Sequence, residues 1–131
     1  MTRFFCLAAA CLGLTSCLSA GKDNCTATQL EPAQSVSGPK TVAVNQTANY
    51  LITYLPQLTC SRLETVYEAT GTAANTLLIA PRVTYNDCNC PANTLAAQAT
   101  YTFKPTTAGT YYLNFAANNA TGFITDTVVV Q

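Results

Sequence analysis

Histidine and tryptophan are absent from the 131 residues, and charge is scarce: Lys and Arg number 6, Asp and Glu number 6, and the formal net charge is zero. Without an imidazole, acid–base catalysis, proton shuttling and metal ligation that depend on histidine are excluded. Without a clustered excess of Lys and Arg there is no electrostatic basis for nucleic-acid binding or for a polybasic membrane patch. Helix-forming stretches are missing as well. The best candidate, 95–100 (LAAQAT), is short and runs directly into an alternating strand. No GxSxG elbow, GxxxxGK(S/T) phosphate loop, HExxH or EF-hand spacing occurs. A length near 130 fits one domain of ordinary size.

What is present begins with a leader. Thr2 and Arg3 give a polar, positive start, and Phe4 to Leu14 is an apolar run of 11 residues. Such a run matches a signal-peptide core and is too short to span a bilayer of about 30 Å as a helix. Leu14, Thr15, Ser16 and Cys17 then resemble the lipobox of bacterial lipoproteins. The resemblance implies that residues 1–16 are a cleaved signal peptide and that Cys17 is acylated with palmitate-type chains. It also implies a protein attached to the membrane by its N-terminal lipid, in the cell envelope at the outer membrane. Ordinary cleavage after Ala20 would place Leu18 where a small residue is preferred; either route exports the chain.

Without the leader, five cations (Lys22, Lys40, Arg62, Arg82, Lys104) face six anions (Asp23, Glu31, Glu64, Glu68, Asp87, Asp126), with no run of either sign. Cys25, Cys60, Cys88 and Cys90 remain after Cys17, an even number that reads as two disulfides in an exported chain. Pairing Cys88 with Cys90 is disfavoured, because alternate side chains of an extended CxC segment point apart. Cys25 and Cys60, in either order, are therefore expected to join the 86–91 loop. The competing reading is a thiolate site for zinc or copper(I), for which one CxC and no CxxC is poor spacing.

Residues 17–36 read as a lipid-anchored linker and lead-in segment, rich in Ser, Gln, Pro and Thr with few large apolar side chains. From 37 to 131 the texture is β: Thr, Tyr and Val abound, and Pro, Gly and Asn punctuate the chain about every ten residues. Alternation predicts strands at 41–44, 48–55, 62–69, 76–80, 82–85, 97–104, 110–116 and 123–130. Ala48, Tyr50, Ile52 and Tyr54 share one face, as do Ala97, Ala99, Tyr101 and Phe103, and Tyr111, Leu113 and Phe115. Arg62, Glu64 and Glu68 fall together in the third of the longer strands, Pro81 suggests an edge or a bend, and the period slips around Asp126. The fold expected is all-β, a single antiparallel sandwich of about seven strands.

Residues 103–113 (FKPTTAGTYYL) resemble the turn before the sixth strand of immunoglobulin-like domains, with Ala108, Gly109 and Tyr111 in the family's order. The resemblance implies an immunoglobulin-like β-sandwich in which the Tyr111 hydroxyl bonds back to upstream backbone. Leu113 stands where antibody domains carry cysteine, and the core tryptophan is missing, so the antibody-type disulfide is not implied.

Chemistry is sparse. Glu64 and Glu68, on one strand face, would lie about 13 Å apart, too far for a glycosidase pair on neighbouring positions, and read as solvated. Asp87 and Asp126 are the other pair of carboxylates considered, and nothing in the sequence brings them together. Tyr50, Tyr101 and Tyr111 read as core, whereas Tyr112 points the opposite way from Tyr111 and is the candidate ligand contact. Asp126-Thr127-Val128 resembles the O-glycosylation triplet of Bacteroidetes-type exported proteins, making Thr127 a candidate acceptor. The Asn24, Asn45 and Asn119 triplets match N-glycosylation only by chance under a bacterial leader. The function expected is a non-enzymatic, cofactor-free binding module for a protein or glycan, with no nucleic-acid partner. A structural or assembly component of an envelope complex is the alternative, and a cysteine-based metal or redox protein a further one.

Overall fold

A computed structural model describes residues 25–87 and 89–131. Among them there are nine strands and no helix: β1 Ala27–Leu30, β2 Ala33–Ser37, β3 Thr41–Val42, β4 Ala48–Tyr54, β5 Ser61–Thr70, β6 Thr76–Tyr85, β7 Ala97–Phe103, β8 Gly109–Ala116 and β9 Phe123–Val130. Six form one sheet in the order β1, β6, β8, β9, β3, with β5 flanking β6; β2, β4 and β7 form a second. The inner faces pack against each other in a larger cluster and a smaller one, the smaller formed by Tyr54, Val83, Tyr85 and Ala99. Tyr50, Ile52, Tyr101 and Phe103 of the small sheet pack with Ile79, Leu113, Phe115, Val128 and Val130 of the large one. Rings of Tyr50, Tyr101 and Phe115 meet with centroids 6.0 to 6.3 Å apart, in the tilted and edge-on arrangements that aromatic quadrupoles favour. The inward rows of β4, β7 and β8 are the ones their alternation predicts.

Several expectations are corrected. The architecture is all-β, but with nine strands rather than about seven, and the large sheet is mixed rather than antiparallel: β3 runs parallel to β9 and β6 parallel to β8. Residues 27–37, within and just beyond the segment read as a tether, already form β1 and β2. Apart from Val36, their inward positions escape hydrophobic patterning because they are small or polar, with Ala33 buried and Gln29 half-buried, and Glu31 is buried in the link between the two strands. Asp126 causes no slip. It occupies a core-facing position in an unbroken β9 ladder, and Lys40 Nζ reaches in to pair with its carboxylate. Beside that pair Tyr50 is buried, and burial first and the Asp126 charge second push its phenol up to about 12.

Pro81 does not mark an edge: β6 lies inside the sheet and runs through the proline from Thr76 to Tyr85. β5 pairs along β6 on one side, while on the other β8 takes Thr76 to Ile79 and β1 takes Arg82 to Tyr85. Proline sits at the changeover between those neighbours. Its carbonyl accepts from the Glu31 N–H at 2.8 Å, so the N–H that proline lacks would point into the same gap, where no ladder bond is lost. On the other flank a bulge between Leu63 and Thr65 shifts the β5 register. Glu64 consequently sits on the outer face, 3.3 Å from Arg82 Nε. Glu68 lies opposite Ile79 on the inner face, accepting from Tyr101 OH at 2.5 Å. The two glutamates therefore do not share a face.

Crosslinks brace one end of the molecule. Cys60 and Cys90 are joined, with Cα atoms 5.7 Å apart, and Cys25 is also disulfide-bonded. The sulfurs of Cys60 and Cys90 are thus not free thiolate ligands. Cys88, Cys17 and the leader at 1–16 lie outside the described residues. Thr59 N–H to Pro91 O and Asn93 N–H to Gln57 O zip the two crosslinked loops together.

Candidate functional site

The outer face of the six-stranded sheet carries a group of apolar side chains that meet solvent. Alternation sends Leu78 and Ala80 of β6, Tyr112, Asn114 and Ala116 of β8, and Phe123, Thr125 and Thr127 of β9 outward, opposite the core rows. The β5 bulge adds Tyr67 and Ala69 to that face, because register beyond it pairs Tyr67 with Ala80 and Ala69 with Leu78. Leu30, at the end of β1, is paired with Arg82 and completes the row. Leu30, Tyr67, Tyr112 and Phe123 remain 49%, 42%, 43% and 37% exposed, so four large apolar side chains are left unburied on one side of one sheet.

Two depressions run into each other across this face, sharing Leu78 and Phe123. One, of about 260 Å³, is floored by Ala69, Ala80 and Ala116 and walled by Leu30 and Tyr67. The second, of about 500 Å³, lies between Tyr112, Asn114, Thr125 and the β5–β6 turn. Small side chains flanked by large ones are what make a nominally flat sheet concave here. The turn is fixed to β8: Tyr112 N–H donates to Asn75 O at 2.9 Å and Asn75 Nδ2 to Thr110 O at 3.2 Å. Charge is confined to the rim, where Arg82 and Glu64 pair.

Of the residues singled out from the sequence, Tyr112 lies on this face, exposed as its opposition to Tyr111 implies. Thr127, the candidate acceptor of a glycan, is exposed directly across the ladder from it. Tyr111 is half-buried with its ring edge-on to Phe103 at 5.2 Å, and its hydroxyl donates to Thr107 O at 3.1 Å. Asp87 and Asp126 do not meet. Asp87 Oδ1 accepts from Asn89 N–H beyond the end of β6, while Asp126 pairs with Leu113 midway along β8 and is held by Lys40. Among the described residues no group of three or more acidic or cysteine side chains is gathered for a metal.

Leu30, Tyr67, Leu78 and Phe123 were not singled out beforehand. Tyr67 and Glu68 exchange faces because of a bulge that leaves no mark in the apolar pattern, and Leu30 belongs to a strand without alternation. Phe123 was legible in principle: it is an outward position in a strand whose inward row is Ile124, Asp126, Val128 and Val130. No protein-family model, curated protein or solved structure matches the chain.

Proposed function

We propose that the protein is a non-enzymatic binding module of the bacterial cell envelope, lipid-anchored through Cys17 after cleavage of residues 1–16, whose domain is an immunoglobulin-like sandwich. The Tyr111 to Thr107 bond and the shared core of two sheets support the immunoglobulin-like reading; the parallel placement of β6 beside β8 is a departure from that family's antiparallel sheets. A single observation carries the binding role. The contiguous, uncharged strip of Leu30, Tyr67, Tyr112 and Phe123 on the outer face is of the composition that anchors partners. Its aliphatic share favours a protein over a glycan, since Leu30 and Leu78 offer a sugar no ring to stack on.

A second reading, assembly by edge-to-edge pairing, is favoured by β7. Among the described residues that strand pairs only with β4, runs seven residues without a bulge and carries no charge within Ala97–Phe103, so it lacks the usual protections of an edge.

The two readings separate by substitution. Tyr67→Ser with Tyr112→Ser, both at exposed positions, is expected to weaken partner binding by tenfold or more and to leave folding intact; Thr100→Lys, which charges the β7 edge, is expected to leave binding unchanged. The opposite result favours assembly. Loss of binding to immobilised envelope glycan, with protein binding unaffected, would assign the strip to sugars. Cys17→Ser should move the protein from the membrane to the soluble fraction, and continued membrane retention refutes the anchor.

A further inference from the structure

At the crosslinked end of the molecule, beside Leu30 of the exposed strip and on the far side of it from Tyr112, Glu31 is 1% exposed. It sits where the chain leaves β1 for β2. Its Oε1 accepts from Gln29 Nε2 at 2.8 Å and from Tyr85 OH, and Tyr85 OH in turn accepts from Gln57 N–H at 3.0 Å. Among the described residues Oε2 accepts no hydrogen bond, yet no side-chain oxygen sealed from solvent lacks a partner. Oε2 is therefore the part of the carboxylate open to the cavity that Glu31 lines.

That cavity has a volume of about 530 Å³, within the range of small-molecule sites. The side chains of Gln34, Gln57 and Asn118 line it and make no hydrogen bonds among the described residues, and Leu55 and Pro56 supply apolar wall. No lysine or arginine among the described residues pairs with Glu31; the ion pairs formed there are Lys40 with Asp126 and Arg82 with Glu64. A carboxylate withdrawn from water is stabilised by a counter-charge, and here the protein does not provide it. Burial and the Glu31 carboxylate together raise the Tyr85 and Tyr54 phenols, in that order of cause, so the acid's field extends into the surrounding core.

We infer that this cavity is a binding site for an alkylammonium group on an apolar stem, of the kind a lysine side chain presents. The ammonium meets Glu31 Oε2 and the free amides of Gln34, Gln57 and Asn118, and the methylenes lie against Leu55 and Pro56. A neutral hydroxyl would satisfy Oε2 but leave the carboxylate without its counter-charge, which is why an ammonium is chosen over a sugar.

The test is a titration of the folded, oxidised protein followed by the side-chain amide NMR signals of Gln34, Gln57 and Asn118. Nα-acetyl-lysine methylamide is the probe, and the norleucine analogue and methyl β-glucoside are its controls. The expected result is saturable shifts with the lysine compound only. Glu31→Gln, which keeps an acceptor for Tyr85 and Gln29, is expected to weaken binding at least tenfold. Gln57→Ala, which removes an amide without touching the buried network, should weaken it a few-fold, and Tyr112→Ser should leave it unchanged. Equal shifts with norleucine, shifts with the glucoside alone, or no shifts at all would overturn the proposal. Since the Tyr112 variant probes the aromatic strip separately, failure here leaves the partner-binding reading standing.

Discussion

Tyr50 shows how much a single residue's neighbours decide. Its ring is fully buried between the sheets, its hydroxyl donates to Pro39 O at 2.7 Å, and the chain just after β2 passes directly over its face at Gly38. A Cβ at Gly38 would lie 2.2 Å from Tyr50 Cδ1 and 2.5 Å from Cε1, a separation that neither a packed ring nor the adjoining strand can relieve without moving. Gly38→Ala should therefore destabilise the fold by about 1 to 3 kcal/mol, the usual cost of overfilling a core. A urea melt that leaves the midpoint unchanged would contradict this contact. Charged residues at this scale were the least legible. Asp126 breaks the apolar pattern of its strand only because Lys40 is 86 residues distant in sequence and invisible to any local window.

Among the elements, β4, β7 and β8 were readable because an inward apolar row alternates with a mostly polar outward one, which Leu51 and Tyr112 interrupt without hiding the period. β1 and β2 were not, since Gln29 and Ala33 carry no hydrophobic signal and Val36 alone makes no period. β5 was readable as a strand and misread in its faces, because one extra residue at the bulge reverses the side on which every later side chain lies. Parallel pairing of β6 with β8 is likewise a non-local outcome: it follows from which arm of the β5–β6 hairpin lies inward. The crosslink between the loops after β4 and β6 acts on the unfolded chain. Closing a separation of 30 residues contributes about 3 to 4 kcal/mol in the chain-entropy model. Replacing Cys60 and Cys90 together by Ala should lower stability by that order, measured by denaturant unfolding without reductant. A loss below about 1 kcal/mol would show that the unfolded chain is not relieved by the cut.

For the whole molecule, the missing tryptophan is made up by tyrosine. Tyr50, Tyr54, Tyr85 and Tyr101 are buried, and each has its phenol pushed above the usual 10, chiefly by burial. In the unfolded chain these groups ionise near pH 10, whereas in the folded protein they hold their protons. Above that pH the native state thus binds more protons than the unfolded one, and stability falls as pH rises. The urea midpoint should be flat from pH 8 to 9.5 and drop between about pH 10 and 12, with the phenolate absorbance of these four tyrosines rising together with unfolding rather than before it. Phenolate formed at pH 11 in protein that is still folded, in the amount of four further tyrosines, would contradict their burial.

The central claim is that the outer face of the large sheet is the surface that meets a partner. It is tested most directly by placing a photo-reactive phenylalanine at Tyr112, at Asn49 on the outer face of the small sheet, and at Thr100 on the β7 edge, then irradiating intact cells. The account predicts one discrete adduct from position 112 and none from 49 or 100. An adduct from position 100 alone, or none from position 112 while the protein is present and folded, would contradict it.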